Sequence, residues 1–551
     1  MRTSPSVGGW RRVATAGIGV ATLLGVAVTA GPAASAAPDP ALAQFYGQQP
    51  AWSACEGDLA ELDCATLVVP LDYANPGAEQ IAVTVSRKKA SDQEHRRGVL
   101  LSNPGGPGGS GLVMPKYLAA KTELGKVYDL VGFDPRGVGK STALNCETRP
   151  ALATEDSRPP DADFPQWVAE ARQAEEGCNR AAGGIRPFVN TPNTARDLDV
   201  IRGVLGEPKI NYLGYSYGTY LGAVYGSLFP QNLDRSVLDS SVHPEWVWRE
   251  QFKAQAIAYR KDVEAWSAWV AERNGTFKLG SSAGEVLAGV EKVSSALFVK
   301  PVGDYTRTSF DGAMGVGARY RPLWSDLALI VGKLRDGAAP PAANPTPAPV
   351  SRAEVDDAAR AGTLLAGLGL ANLHSGVFDT VTCEADWPTD LGVYYEEMRV
   401  FRDRYPYGYG VVRAAPTTCA FRSFTPPEPL VKIKRDGYPV GLVIQAEGDA
   451  QTQYDSGPAM STRLRDNLIS VADDGTHGQY GGHNDCVNAQ VNHYLLDGVL
   501  PASSSSCKGD PRPNVAADPA PASPVQPSAG ATLEQSVRAF IDNSGLATRP
   551  F

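Results

Sequence analysis

The stretch Gly214-Tyr215-Ser216-Tyr217-Gly218 sets a serine between glycines two positions away on either side. A serine held in a strained turn from strand to helix leaves no room for side chains at those two positions. The strain lifts its hydroxyl to where a carbonyl carbon can meet it. Lys209–Leu213 before it reads as a short strand, and Thr219–Tyr225 after it as a helix with small residues on one side. Such a nucleophile needs a base to take its proton, an acid to orient the base, and donors for the oxyanion that forms on the substrate.

Two residues in the second half of the chain fit the base and the acid. The apolar run Pro439–Ile444 leads into Glu447-Gly448-Asp449, and Asn467–Val471 leads into Gly475-Thr476-His477-Gly478. Both polar residues follow a predicted strand, at the edge where sites in parallel sheets gather. Ser216 would attack the scissile carbonyl. His477 would take its proton and return it to the leaving group, and Asp449 would hold the imidazole in the right tautomer. Alternatives remain open: Asp449 as a turn residue beside Gly448, or His483 in Gly481-Gly482-His483-Asn484 as the base. His493 falls on an amphipathic helical pattern that suits a packing role.

Asn103-Pro104-Gly105-Gly106-Pro107-Gly108-Gly109-Ser110-Gly111 follows another strand pattern. Glycines let backbone N–H groups close on a developing negative charge. One donor is expected from Gly105 or Gly106 and the other from Tyr217, the residue after the nucleophile. A phosphate cradle is excluded because no Gly-Lys-Ser/Thr ends this loop. The later Gly137-Val138-Gly139-Lys140-Ser141 lacks the first glycine of that motif at the required spacing.

The elements that must carry these groups alternate. Gly98–Ser102, Tyr128–Phe133 and Arg235–Asp239 read as further strands, and Asp197–Leu205 as a helix capped from Asn193 or Thr194. Strand-helix alternation predicts an α/β fold, a mostly parallel sheet with helices on both faces. From residue 244 to 380 the chain turns helix-rich and aromatic, which predicts a cap inserted between two parts of the core, 37–243 and 381–510. The cap tryptophans Trp246, Trp248, Trp266 and Trp269 suit either a cleft lining or helix packing. Ala338–Val350 reads as a linker. Residues 511–551 form a Pro/Ala-rich tail with a possible helix over Thr532–Asn543.

Across 551 residues the formal net charge is −9 and no basic run offsets it, which excludes a nucleic-acid partner. Arg11-Arg12, an apolar run from Val13 to Gly31 and Ala34-Ser35-Ala36 predict an export signal over 1–36, by the Sec or the twin-arginine route. No other stretch is long and apolar enough to span a bilayer, so no membrane association is expected once the signal is removed. Eight cysteines in an exported chain predict disulfides. Pairing in chain order is the simplest arrangement: Cys55–Cys64, Cys146–Cys178, Cys383–Cys419 and Cys486–Cys507.

Together, the Asn103–Gly111 loop, Phe133-Asp134-Pro135-Arg136-Gly137-Val138-Gly139-Lys140-Ser141 and Gly-Tyr-Ser-Tyr-Gly-Thr resemble the secreted tripeptidyl aminopeptidases of actinomycetes. These are α/β hydrolases related to prolyl aminopeptidases. The resemblance continues through Ala195–Asp199 and the block from His477 to Cys507. It implies an exopeptidase that releases tripeptides from free N-termini, with Ser216, Asp449 and His477 as its triad. Prolyl aminopeptidases carry His-Gly-Gly-Pro-Gly where this chain has Asn103-Pro104-Gly105-Gly106-Pro107-Gly108, a departure that argues against removal of a single proline as the main activity.

An aminopeptidase must also hold an ammonium group, which when desolvated needs an opposing carboxylate. Glu384 and Asp386, placed where the cap rejoins the core, and Glu245 are the candidates. The expected partner is therefore a peptide with a free N-terminus bound by a monomer, and no metal or organic cofactor is called for. An esterase or lipase with the same triad, a prolyl aminopeptidase and a non-catalytic binding protein are the competing readings.

Overall fold

The computed structural model describes residues 40–147, 156–338, 350–368, 376–518 and 530–546. The expected export signal, 1–36, lies outside them, as do most of the linker at Ala338–Val350 and of the Pro/Ala-rich stretch at 516–529.

Ten strands form one sheet: β1 (Ser53–Ala54), β2 (Asp63–Pro70), β3 (Gln80–Lys88), β4 (Val99–Asn103), β5 (Asp129–Phe133), β6 (Ile210–Tyr215), β7 (Leu233–Asp239), β8 (Leu442–Ala446), β9 (Asn467–Ala472) and β10 (Ser504–Lys508). Their order is β1-β2-β3-β5-β4-β6-β7-β8-β9-β10. Pairing is antiparallel from β1 through β3 to β5 and parallel from β5 to β10. The sheet is thus mostly parallel. β1, β2, β3 and β10 extend it beyond the strands read from the sequence.

Every residue of β4, β5, β6 and β8 is buried. That accounts for their unbroken apolar runs, since helices cover both faces of a parallel sheet. Successive side chains of a strand enter opposite cores. Leu101, Phe133, Tyr212 and Leu238 pack on one face, and Leu100, Leu130, Leu213 and Val237 on the other.

The helix Thr191–Val204 starts earlier than its apolar stripe implied. Asn190 caps it, accepting the Asn193 N–H, and Pro192 fits the first turn, where no intrahelical N–H is required. Arg136 of the Phe133–Ser141 motif is fully buried against this helix. It bonds Asp197 Oδ1 and Oδ2 at 2.6 and 2.7 Å. It also donates to the carbonyls of Pro70, Leu71 and Phe188 at 3.1, 2.9 and 3.0 Å. The motif is therefore a structural joint. Asp134 extends it to the glycine loop by accepting from Ser110 Oγ at 2.5 Å.

Between β7 and β8 the described residues are helical or irregular, from the helix Arg249–Ala271 to the 3-10 turn Thr418–Phe421. Residues 381–441, expected with the core, supply helices and no strand. Met398 and Phe401 of Leu391–Arg404 pack with Ala256 of Arg249–Ala271. Trp266 and Trp269 sit in a separate core of this helical layer, which also takes in Ala450 and, from the helix Leu533–Ser544, Leu533, Val537 and Ile541. The terminal helix opens on a capping box at Thr532. The four disulfides join Cys55–Cys64, Cys146–Cys178, Cys383–Cys419 and Cys486–Cys507, the chain-order pairing.

Candidate active site

Ser216 stands between β6 and the helix Tyr217–Leu228 with φ 54° and ψ −125°, a conformation that costs a non-glycine residue energy and marks the turn as built for exposure of its side chain. Its two glycines are explained by contact. A Cβ on Gly214 would lie 2.3 Å from the Gly218 carbonyl oxygen, and one on Gly218 would lie 2.6 Å from that of Asn103. Ser216 is half-buried while its neighbours Tyr215 and Tyr217 are buried.

The loops after β8 and β9 bring the expected acid and base together. His477 Nδ1 lies 2.7 Å from Asp449 Oδ2. Asp449 is 1% exposed, and its remaining acceptor sites take the Gln451 N–H at 2.9 Å and the Thr452 hydroxyl at 2.8 Å. Burial alone would raise this carboxyl. The charge of His477, its hydrogen bond and the nearby Arg319 guanidinium outweigh that and hold it below the ordinary aspartate value. A carboxylate kept ionised on Nδ1 leaves Nε2 as the nitrogen that can accept a proton.

The alternative histidines lie elsewhere. His483 Nε2 meets the Asn543 carbonyl at 2.5 Å, on the terminal helix. His493 is exposed and pairs with Asp497 at 3.2 Å, so it does not pack as expected.

In the glycine loop, Gly105 lies against Ser216 and the Tyr217 amide nitrogen. Its own N–H is engaged by Asn103 Oδ1 at 2.9 Å. That favours Gly106 over Gly105 as the loop's oxyanion donor, paired with Tyr217 N–H at the start of its helix, where the backbone dipole also favours negative charge.

The three candidate ammonium-binding acids separate. Asp386 is fully exposed and faces Arg422 at 3.5 Å, and Glu245 pairs with Arg463 on the surface. Both are already opposed by a cation. Glu384 is buried. It accepts the Thr191 N–H and hydroxyl at 2.8 Å each and the Trp248 indole N–H at 3.2 Å. None of these donors is a cation, so burial pushes the Glu384 carboxyl up to about 7 against the pull of its hydrogen bonds. Thr191 Oγ1 also lies 2.9 Å from the hydroxyl of Tyr217, the residue after Ser216. Trp248 packs on Tyr217 and Tyr220, with ring centroids at 5.6 and 5.2 Å. Of the four tryptophans, Trp248 lines this corner, Trp266 and Trp269 are packing core, and Trp246 stacks on His243 at 4.0 Å.

The sequence reading missed Thr452 and the acceptors at the end of β7. Asp239 accepts the Gln479 and Tyr480 N–H groups at 2.9 and 2.7 Å, and Ser240 Oγ accepts that of Gly478 at 2.7 Å. An aspartate and a serine ending an apolar strand were the available signal.

Residues 98–330 match the profile of the alpha/beta hydrolase fold, and residues 405–507 that of the TAP-like proteins. The chain is 35% identical to a tripeptidyl aminopeptidase of Streptomyces coelicolor over 486 residues, covering 84% of this chain and 87% of that one. It is 28% identical over 513 residues to the serine protease Hip1 of Mycobacterium tuberculosis, covering 84% and 91%. It is 31% identical over 548 residues to a protein of Mycobacterium tuberculosis named carboxylesterase B, covering 90% and 99%. The chain therefore belongs to the tripeptidyl aminopeptidase family of α/β-hydrolase serine hydrolases.

Proposed function

We propose that this protein is a secreted, monomeric serine exopeptidase that removes tripeptides from the free N-termini of peptides. Its organisation would be an export signal, an α/β-hydrolase core and a helical cap inserted after β7. Ser216 attacks the scissile carbonyl while His477 takes its proton and Asp449 steadies the imidazolium. The oxyanion falls to the N–H groups of Gly106 and Tyr217, each worth about 3 kcal/mol in the transition state. His477 then protonates the leaving amine, and water releases the acyl-enzyme by the same route in reverse.

The observation that carries the exopeptidase reading is Glu384, a buried carboxylate with no cation among its described partners, one side chain away from Tyr217. A carboxylate offers about four acceptor directions and three here are taken, which leaves one that an ammonium group could use. The deciding experiment measures product lengths from a peptide ladder with free and N-acetylated ends. Tripeptides from free ends alone support the reading, and equal cleavage of acetylated peptides overturns it.

The relative named carboxylesterase B favours a second reading, an esterase with the same triad. Turnover of short-chain esters far above that of tripeptide arylamides would select it.

A further inference from the structure

The end of β7 contributes no member of the triad, yet it holds both of its arms. The Asp239 carbonyl accepts the N–H of Ser216 at 3.1 Å. The Asp239 carboxylate takes the N–H groups of Gln479 and Tyr480, and Ser240 Oγ takes that of Gly478. Three consecutive amides directly after His477 thus converge on two adjacent residues, an arrangement of backbone N–H groups that suits an anion. Ser240 adopts φ 58°, and its hydroxyl also reaches Asp239 Oδ1 at 3.2 Å. The conformation is costly for serine and persists because its surroundings fix it.

We propose that Asp239 is a positioning residue for the proton transfer, an anion that fixes the His477 loop relative to the serine its own backbone anchors. The inference rests on Ser216 and His477 acting as nucleophile and base. The loop is also held by the Tyr215 hydroxyl, which donates to the Tyr480 carbonyl at 3.0 Å, and by the His477–Asp449 contact. A displacement of about 1 Å in a catalytic group costs on the order of a hundredfold in rate. Asp239 supplies the tie that grips the amides next to His477, from the strand that follows the nucleophile.

The groups that face Asp239 are the Ser216 amide, Ser240, the amides of Gln479 and Tyr480, and His477. Tyr215 of β6 pairs in register with Asp239 and its hydroxyl donates to the Tyr480 carbonyl at 3.0 Å, so the titratable side chains beside Asp239 include His477 and Tyr215. Burial raises the Asp239 carboxyl to about 6, with the amides and the His477 charge opposing it. The carboxyl is therefore ionised above that pH and loses its charge below it. Its negative charge also favours the imidazolium formed during proton transfer.

The test is Asp239→Asn, which keeps the shape and removes the charge. Turnover of a tripeptide arylamide is expected to fall about a hundredfold with KM within about threefold. The melting temperature should fall as well, because the asparagine NH2 faces a donor that the carboxylate accepted, so kcat and the pH profile carry the decision. A merely structural residue would lower the melting temperature and leave kcat intact, and that outcome overturns the proposal. The pH profile gives a second reading. In the unaltered protein kcat, which Glu384 does not titrate, should fall more steeply below about pH 6 than in Asp239→Asn, because only the former loses the Asp239 charge there. An unchanged slope overturns the charge role.

Ser240→Gly is the companion variant, safe for the fold because glycine accepts the positive φ. It removes the acceptor of Gly478 N–H and should cost about tenfold in kcat. Unaltered kcat there, or in both variants, overturns the clamp. Fluorophosphonate labelling of Ser216 in the unaltered protein is run first. Its failure would sink the triad reading, whereas labelling combined with indifferent variants sinks only the clamp.

Discussion

Gly105 and Ser216 are packed so closely that a Cβ on Gly105 would sit 2.9 Å from the serine Cβ and 2.5 Å from the Tyr215 carbonyl oxygen. Backbone cannot yield there without moving the nucleophile. Gly105 also adopts φ 101°, which a side chain would strain. Gly105→Ala should therefore displace the glycine loop and the Gly106 donor and reduce kcat by a hundredfold or more, on the order seen for loss of one oxyanion donor. Steady-state kinetics check this, with circular dichroism showing whether the fold is kept. Activity within about threefold of the unaltered protein would remove this loop from the oxyanion site.

The histidine assignment separates cleanly. His477→Ala and Ser216→Ala should each remove nearly all turnover. His483→Ala should leave kcat near its original value, because that ring meets the terminal helix at Asn543 rather than the triad. Its effect should appear in thermal stability, at about 1 kcal/mol or less for an exposed contact. Reversed results would exchange the roles of the two histidines.

Glu384 gives a pH prediction with a definite sign. Its folded value near 7 means that it is ionised above that pH and neutral below it. Ammonium binding needs the anion, so kcat/KM for free-amine peptides should decline as pH falls through about 7. It should also decline above about 8, where the substrate's α-amino group loses its proton. Glu384→Gln should raise KM tenfold or more, as expected for one lost charge-assisted contact, and leave the titration of kcat unchanged. An unaltered KM would assign Glu384 to capping the Thr191–Val204 helix alone.

Arg136 is a stability position. Arg136→Met leaves Asp197 buried without its cation and three carbonyls without their donor, a situation that costs about 3–5 kcal/mol. Urea unfolding should show a lower midpoint of that size. A change under about 1 kcal/mol would mean that the joint between β2 and the Thr191–Val204 helix relaxes onto other donors.

The central strands and the Asp449–His477 pair were legible in the sequence for a common reason. β4, β5, β6 and β8 are buried on both faces, β7 and β9 in part, and so they write short apolar runs, and each polar site residue stands just past the end of one. β2 was not legible because its outer positions are exposed, and its alternating pattern does not match a parallel core. The cap of the Thr191–Val204 helix was misplaced because the apolar stripe begins a turn later than the helix, while Asn190 and Pro192 carried the better signal. The fates of Glu245, Asp386 and Glu384 could not be read at all. Local sequence makes them equivalent acids, and only tertiary contact decides which one meets an arginine and which meets threonine and indole.

Each cystine closes on the nearest cysteine along the chain, over separations of 9, 32, 36 and 21 residues. No bridge encloses or crosses another. An oxidant meeting the thiols in the order of their emergence would thus form every correct pair at the first attempt. Maturation of this protein should then depend on the supply of oxidising equivalents and be indifferent to an isomerase.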